Sequence, residues 1–392
     1  MGKRTVIYLD NAASTWPKPQ GVIRAVERVL SETAANPGRS AHSLSVEAAR
    51  IIADAREAIA NLFGVKDPLR VVFTKNATEA LNIVVGGLLK QGDHVITAGM
   101  EHNSVMRPLR AAGARGIRLS LISCSSLGEL DPSDVKKAIR PDTRLIILTH
   151  ASNVTGTVMP VAEVGSLAKE HGISFCMDAA QTAGCLPIDV DEMNVDLLAF
   201  TGHKSLYGPQ GTGGLYIGAG LEEKIEPLMM GGTGSASELE EQPVFMPDKF
   251  ESGTPNTPGI AGLLEGVRFL ESRGIGPVRE YEMGLAARLR SALSAIPGVR
   301  IYGPEDPAQT IAIVSFSMEG MSPSDIAFSL DEEYGIMARP GLHCAPSAHR
   351  TIHTFPQGTV RLSLGCFNTL GDVSRAVHAV SRIAQKCRSD RA

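Results

Sequence analysis

The feature that most constrains the fold is a series of short apolar segments, each followed directly by polar residues. The segments alternate with stretches of helical character and lie at residues 71–74, 94–97, 145–149, 173–177 and 197–200. Continuous apolar strands of this kind are typical of a parallel sheet covered by helices on both faces. The sequence therefore predicts an α/β fold with a mostly parallel sheet. Ligands of such folds bind beyond the carboxyl ends of the strands, so the polar residues found there are the candidate site.

The chain is expected to form two domains, because its character changes after residue 258. Residues 20–258 are predicted to form a large domain that contains this sheet. Residues 1–19 and 259–392 are predicted to form a smaller α+β domain, in which a long helical stretch leads to short strands. The segment 231–242, rich in glycine and then acidic, is predicted to be a mobile loop near the junction.

Composition argues against several classes of partner. The formal net charge of -4 gives no electrostatic reason to propose nucleic acid or an anionic membrane surface. No apolar run is long enough to span a bilayer, and the chain becomes acidic at Asp10, too soon for a signal peptide. The cysteines are scattered without a Cys-x-x-Cys pair, so we expect neither a metal site nor disulfides, and a reducing, cytoplasmic location.

Two charged residues at predicted strand ends indicate the chemistry. Lys204, in Thr201-Gly-His-Lys204, lies at the mouth of a buried strand, where an amine with a lowered pKa can form a Schiff base with a carbonyl cofactor. A solvated loop lysine is the alternative. Asp178 follows an apolar strand directly and would pair with a pyridinium nitrogen, although an aspartate there could also cap a helix. Together they predict pyridoxal 5'-phosphate as the cofactor.

Further polar residues suit the phosphate and the ring of that cofactor. The strand-to-helix turn at 74–79 offers backbone N–H groups and the Thr78 hydroxyl as a phosphate cradle, although a threonine there could merely cap the helix. Thr201 and His203 could supply further hydrogen bonds. His102 also follows a strand and could stack on the ring and shuttle protons, or it could be a core histidine bonded to a backbone carbonyl.

A second group of candidate residues lies near the C-terminus. Cys344 sits between Pro-Gly and Ala-Pro on a turn-rich loop that we expect to be exposed, and His343 and Arg339 could stabilise its thiolate. A surface thiol without a role is the alternative. Arg361, in a predicted strand, offers a planar fork for a substrate α-carboxylate, unless it forms an ordinary surface ion pair.

In this order, these motifs resemble the cysteine desulfurases, which belong to the class V aminotransferase group of fold type I pyridoxal phosphate enzymes. The resemblance spans nearly the whole chain and rests on residues 8–13, 39–42, 75–79, 101–102, 152–156, 178–181, 201–204, 253–256 and 339–344. The short Arg-x-Gly-x-His-Cys-Ala loop is similar to that of desulfurases that supply sulfur to dedicated partner proteins.

The resemblance implies a role for each matching residue. Lys204 would form the Schiff base and move protons, His102 would stack on the ring, and Cys344 would take the sulfur of L-cysteine and leave L-alanine. The other implied contacts are Asp178 to the ring nitrogen, Gln181 to the ring hydroxyl, and Ala77, Thr78, Thr201 and His203 to the phosphate. Thr254 would reach the phosphate from the neighbouring subunit of a homodimer, Asn153 and Arg361 would hold the substrate carboxylate, and His42 and Arg339 would line the site. The Cys344 persulfide would pass to a protein sulfur acceptor.

Other functions on the same scaffold stay open at this point. The chain could be a selenocysteine lyase, or an aminotransferase, epimerase or β-lyase in which Cys344 is not essential. A sulfur carrier or scaffold without activity is disfavoured because Lys204, Asp178 and His102 are all present. The segments 231–238 and 347–350 differ from those of reference desulfurases and leave the acceptor and the substrate preference open.

Overall fold

A computed structural model describes residues 6–38 and 42–389, so residues 39–41 of the motif at 39–42 lie outside the described residues. The strands are β1 (Ile7–Tyr8), β2 (Val71–Thr74), β3 (His94–Ala98), β4 (Arg118–Ile122), β5 (Thr143–Thr149), β6 (Ser174–Asp178), β7 (Leu197–Thr201), β8 (Gly213–Ile217), β9 (Val299–Tyr302), β10 (Ile313–Met318), β11 (Ile336–Met337), β12 (Arg339–Gly341) and β13 (Thr359–Ser363). The helices are α1 (Gln20–Glu32), α2 (Ser43–Leu62), α3 (Ala77–Leu88), α4 (Asn103–Gly113), α5 (Pro132–Ala138), α6 (Val161–Glu170), α7 (Thr257–Arg273), α8 (Ile275–Ser294), α9 (Pro323–Tyr334), α10 (Pro346–Thr351) and α11 (Leu370–Ser389).

The large sheet has seven strands in the order β2-β8-β7-β6-β5-β3-β4. Strand β8 runs antiparallel to both of its neighbours, and the other pairs are parallel. The predicted α/β fold with a mostly parallel sheet is therefore confirmed. The connection 202–212 is too short for a crossover helix, which explains why β8 turns back beside β7.

Both faces of this sheet are buried, as the apolar runs predict. Side chains that alternate along the central strands fill two separate cores. One core receives Ile96, Ile146, Leu148, Phe175, Met177, Leu198 and Phe200. The opposite core receives Val95, Leu145, Ile147, Cys176, Leu197 and Ala199. Since the strands offer no polar face, their functional side chains are confined to the strand ends.

A second sheet, with the order β12-β13-β10-β9, is antiparallel and packs around its own core with α8, α9 and α11. Strand β1 pairs in parallel with β11 and so ties the N-terminus to this region. Helix α7 packs against α1 and α2, and its Leu263, Val267 and Leu270 join the core of the large sheet. The division into domains at residue 258 stays a prediction. Within residues 6–38 and 42–389, no helix is long and apolar enough to cross a membrane.

Candidate active site

The carboxyl ends of β5, β6 and β7 and the start of α3 border a cavity of about 240 Å³. It collects most of the residues that the sequence singles out for a cofactor. Its lining consists of Asn76, Ala77, Thr78, His102, Ser104, Thr149, Asn153, Asp178, Ala180, Gln181, Thr201, His203 and Lys204. The predicted convergence of polar residues at the strand ends is thus present in one place.

Lys204 lies on a tightly held turn that follows β7. Gly202 N–H donates to the Thr212 carbonyl at 2.8 Å, and a Cβ at Gly202 would collide with the Thr212 side chain. The Thr15 hydroxyl donates to the Lys204 carbonyl at 3.0 Å, and Lys18 Nζ donates to the preceding carbonyl at 2.8 Å. The N-terminal segment therefore fixes the backbone that carries the amine.

The Lys204 amine is poised for nucleophilic chemistry. Burial lowers the pKa of Lys204 to about 8, while the neighbouring Asp178 opposes this shift. The neutral fraction of the amine therefore rises from about a tenth at pH 7 to about half at pH 8, and a Schiff-base lysine reacts in this neutral form.

Asp178 ends β6 and is almost fully buried, with 3% exposure. One of its oxygens accepts from the Ala180 N–H at 2.9 Å. Burial raises the pKa of Asp178, and the Lys204 ammonium partly offsets this effect. A protonated ring nitrogen in the cavity would give this carboxylate the partner that its burial calls for.

A second buried carboxyl, Glu101, was not given a role from the sequence, although it precedes His102 in one of the motifs. Both of its oxygens accept from the Thr149 N–H, at 3.0 and 3.1 Å. Burial raises the pKa of Glu101 to about 8, so the group is mainly protonated at neutral pH. The signal in the sequence was a carboxylate directly after the buried strand β3 and its turn.

The opposite end of the cavity is suited to an anion. Asn76 caps α3, and Ala77 and Thr78 begin it, so that the helix N-terminus opens on the cavity. Within the described part of the chain, Thr201 Oγ1 and His203 Nδ1 are buried polar atoms without a hydrogen-bond partner. Such atoms normally have partners, and a phosphate group beside the helix start would supply them. These residues therefore fit pyridoxal 5'-phosphate.

His102 caps α4 from the edge of the same cavity. Its Nδ1 accepts from the Ser104 N–H at 3.0 Å, so the proton of the neutral ring lies on Nε2. Burial lowers the pKa of His102 to about 4, which keeps the ring neutral near pH 7. The alternative of a core histidine bonded to a backbone carbonyl is wrong, because the ring accepts from a backbone N–H at the cavity wall.

Gln181 and Asn153 line the cavity with their side chains already anchored. The Gln181 amide donates to the Ala12 carbonyl at 3.1 Å. The Asn153 amide donates to the His343 carbonyl at 2.7 Å, and the Asn153 carbonyl accepts from Arg361 Nη1 at 2.9 Å. Asn153 thus connects the cavity to both Arg361 and the cysteine loop.

Arg361 is a buried cation, with 1% exposure, and the alternative of a surface ion pair is wrong. Its Nη2 lies 2.8 Å from Asp10 Oδ1, and its Nε is buried without a hydrogen-bond partner among residues 6–38 and 42–389. Burial lowers the pKa of Arg361, and Asp10 opposes that shift. The free Nε leaves one donor for an incoming carboxylate. Asp10 was not given a site role from the sequence, although it belongs to the motif at 8–13.

Cys344 is exposed, as predicted for this loop. His343 and Cys344 both adopt the left-handed backbone region, with φ of 49° and 56°, which costs about 1–2 kcal/mol per non-glycine residue. The Asn103 N–H donates to the Cys344 carbonyl at 2.8 Å, directly beside His102. This tertiary contact therefore holds the backbone of Cys344 in a strained turn beside His102 and Ser104 of the cavity lining.

The expected role of His343 in stabilising a thiolate is not supported. The ring is buried, and its Nε2 lies 3.0 Å from the Arg339 carbonyl. Burial, assisted by the charge of Arg361, lowers the pKa of His343 to about 3. A neutral ring engaged with the backbone supplies no positive charge to the sulfur.

The remaining predicted residues lie at different distances from this centre. Arg339 is half-buried on β12 and faces Arg361 in register. Thr254 is exposed and lines a separate cavity of about 180 Å³. His42 is exposed and caps α2, with its Nδ1 accepting from the Ser45 N–H at 3.2 Å. The single chain does not bring Thr254 or His42 to Lys204, so the roles implied for them stay predictions.

A buried carboxyl on α8, Glu282, leads to a prediction about how the free energy of unfolding depends on pH. Glu282 on α8 is 6% exposed and accepts from the Tyr207 hydroxyl at 3.3 Å, and burial raises its pKa to about 8. The unfolded chain releases this proton near pH 4.5, so the free energy of unfolding should fall as pH rises from about 5 to 8. In denaturant titrations, this decrease in the free energy of unfolding should be smaller in Glu282→Gln than in the parent protein by on the order of 2 kcal/mol.

The matched control is Glu280→Gln, which changes an exposed carboxylate on the same helix. Its pH dependence should follow that of the parent protein. The same slope in the Glu282 variant and the parent between pH 6.5 and 8 would contradict a protonated Glu282, because the contributions of all other titrating groups are common to both proteins.

Comparison with known proteins places this geometry in a family. The model of the aminotransferase class-V family matches residues 7–376. A probable cysteine desulfurase of Methanothermobacter thermautotrophicus is 38% identical over 97% of this chain and 95% of its own length. A cysteine desulfurase of Escherichia coli O127:H6 is 34% identical, with 96% and 93% covered. The apo structure of the cysteine desulfurase of Thermococcus onnurineus NA1 is similar with a TM-score of 0.91 at 34% identity, and covers 97% of this chain and 95% of its own.

Proposed function

The chain belongs to the cysteine desulfurases of the class V aminotransferase family, and we propose that it converts L-cysteine to L-alanine while Cys344 takes up the sulfur as a persulfide. The observation that carries this proposal is the position of Cys344. Its side chain is exposed, and its carbonyl is bonded to Asn103, the neighbour of His102 in the cofactor cavity. A thiol at the mouth of such a cavity can reach both a bound substrate and an external acceptor.

The residues at the strand ends would hold pyridoxal 5'-phosphate. Ala77, Thr78, Thr201 and His203 would bind the phosphate, Asp178 the ring nitrogen and Gln181 the ring hydroxyl, with His102 stacked on the ring. When bound, the cofactor withdraws electrons from Cα of an amino acid and so makes its Cα proton and its Cβ–S bond labile.

The chain's own residues would then carry out binding and proton transfer. Arg361, which keeps a free Nε, would bind the α-carboxylate together with Asn153, while Arg339 adds positive charge nearby. The Lys204 amine would move the Cα proton, since its lowered pKa lets it accept and release protons near neutral pH.

Sulfur transfer itself requires the Cys344 thiolate. Its Sγ attacks the substrate sulfur and forms the S–S bond of the persulfide, while the Cβ–S electron pair passes to Cβ, which is protonated to give alanine. The sulfur atoms are oxidised to the persulfide level while Cβ takes the electron pair and is reduced, so no external oxidant is needed. The exposed persulfide would pass to a protein sulfur acceptor.

We also propose a homodimer in which Thr254 reaches the phosphate of the partner subunit and His42 lines the shared site. Thr254 lies in a cavity with Leu228 and Met229, which are exposed apolar side chains. Met230, Val244 and Phe245 in the same region are exposed as well. An apolar surface of this kind is typical of an interface between subunits. The unpaired cysteines support a reducing, cytoplasmic location.

The test is a product assay on the protein loaded with pyridoxal 5'-phosphate. With L-cysteine and a thiol reductant, we expect alanine and sulfide in equal amounts. A keto acid in place of alanine would assign the chain to the aminotransferases. A strong preference for L-selenocysteine over L-cysteine would assign it to the selenocysteine lyases.

A further inference from the structure

Behind the Cys344 loop, two buried histidines form a hydrogen-bonded pair. His343 Nδ1 lies 3.2 Å from His349 Nε2, and the rings stack with centroids 5.4 Å apart. The other nitrogen of His343 lies 3.0 Å from the Arg339 carbonyl. The other nitrogen of His349, Nδ1, lies 2.6 Å from the Thr354 hydroxyl. His349 is fully buried and is not among the described residues that line the cofactor cavity.

Hydrogen-bond chemistry fixes the direction of this chain of contacts. The Arg339 carbonyl can only accept, so His343 must carry its proton on Nε2 and accept at Nδ1. His349 must then donate from Nε2, and its Nδ1 must accept from the Thr354 hydroxyl. One proton on each neutral ring satisfies the three contacts from the Arg339 carbonyl to the Thr354 hydroxyl. A second proton on either ring would remove an acceptor from this chain of contacts and add a buried positive charge. For His343, that charge would lie near Arg339 and Arg361.

This chain of contacts ends on the strained turn that presents Cys344. His343 is one of the two consecutive residues with left-handed φ, and its carbonyl accepts from the Asn153 amide at 2.7 Å. The Cys344 carbonyl accepts from the Asn103 N–H at 2.8 Å. The ring of His343 and the carbonyls of both residues are therefore held from different directions.

We propose that His349 and Thr354 are positioning residues, which lock the ring of His343 and thereby keep Cys344 in the conformation that places its thiol at the cofactor cavity. This proposal rests on the proposed function, because sulfur transfer requires that the Cys344 thiol be held close to the substrate sulfur. Neither side chain touches the substrate in this scheme.

The first test compares two substitutions of His349 in the loaded enzyme. His349→Gln keeps an amide N–H near the place of Nε2, whereas His349→Phe keeps the ring without the donor. With His349→Phe, kcat for sulfide release should fall about ten- to a hundredfold, with KM for L-cysteine and the cofactor absorbance unchanged. With His349→Gln, kcat should stay within about threefold of the parent enzyme.

Hydrogen exchange provides a readout that does not depend on activity. The amides of Asn103, which donates to Cys344, and of Ala345, which donates to Leu342, report on the order of the turn. We expect both amides to exchange about tenfold faster in His349→Phe and at the parental rate in His349→Gln. If the parent enzyme releases no sulfide while these exchange rates change as expected, the proposed function fails and the positioning role stands.

Thr354 provides a milder pair of variants in case His349→Phe does not fold. Thr354→Val removes the hydroxyl that fixes the His349 tautomer, and Thr354→Ser keeps it. The valine variant should reproduce the kcat and exchange effects in reduced form, and the serine variant should not.

A third experiment tests whether His349 acts through His343. Glycine adopts the left-handed region freely, so in a His343→Gly background His349→Phe should have little additional effect. Parental exchange rates and kcat in His349→Phe, or the same loss of kcat with and without His343→Gly, would overturn the proposal.

Discussion

Replacing Cys344 with alanine is expected to abolish sulfide release from L-cysteine, with a loss on the order of 10³-fold or more. The thiol is the nucleophile that accepts the substrate sulfur. Among the described cysteines only Cys344 is exposed, and its carbonyl is bonded to Asn103 beside the cofactor cavity. The variant should fold normally, because the side chain is exposed and alanine keeps the Cβ of the strained turn. Alanine and sulfide formation, measured beside the parent enzyme, give the result.

The cofactor site should remain intact in this variant. Its absorbance with pyridoxal 5'-phosphate should match that of the parent, since Cys344 is not among the described residues that line the cofactor cavity. Cys387→Ala is the matched control. That cysteine lies on α11, where its Sγ is 3.7 Å from the Glu319 carbonyl, and its loss should leave turnover unchanged. Sulfide release that survives Cys344→Ala would leave the scaffold in place but assign it to a class V enzyme with a different chemistry.

The strand ends could be predicted from the sequence because strands buried on both faces appear as nearly continuous apolar runs. The runs at 94–97, 145–149 and 197–200 are apolar except for His94, Thr97 and Thr149, and the structure buries all of their residues. Strand β4, at the sheet edge, was missed because only Ile122 in it is buried and no apolar run arises. Lys204 and Asp178 were singled out because a charged side chain directly after a buried strand is unusual unless it has a function or a partner.

Contacts between distant segments could not be predicted in the same way. Asp10 and Arg361 are 351 residues apart, and only the folded chain shows that Arg361 is buried against Asp10 and Asn153. From the sequence, His343 was expected to stabilise the Cys344 thiolate, but in the structure burial lowers the pKa of the ring, which lies against His349. The left-handed backbone of His343 and Cys344 could not be predicted from the sequence either, because contacts with other segments impose it.

Replacing Lys204 with alanine should lower turnover of L-cysteine on the order of 10³-fold, because it removes both the amine that binds the cofactor and the group that moves the Cα proton. Burial places the pKa of the free amine near 8, so attachment of the cofactor to the unloaded chain should become slower as pH falls below that value and the amine becomes charged. Borohydride reduction of the loaded protein, followed by peptide mapping, should find the cofactor covalently attached to Lys204.

Lys18 provides a demanding control for this assignment. Burial also lowers the pKa of Lys18 to about 8, but its Nζ is bonded to the Thr15 hydroxyl and to the His203 carbonyl, outside the cavity lining. If a lowered pKa alone selected the attachment site, reduction would label both lysines. Because position relative to Asp178 and the α3 N-terminus selects it, Lys18→Ala should keep the cofactor adduct and Lys204→Ala should lose it. An adduct that persists in Lys204→Ala would contradict both the role of Lys204 and the placement of the cofactor at the strand ends.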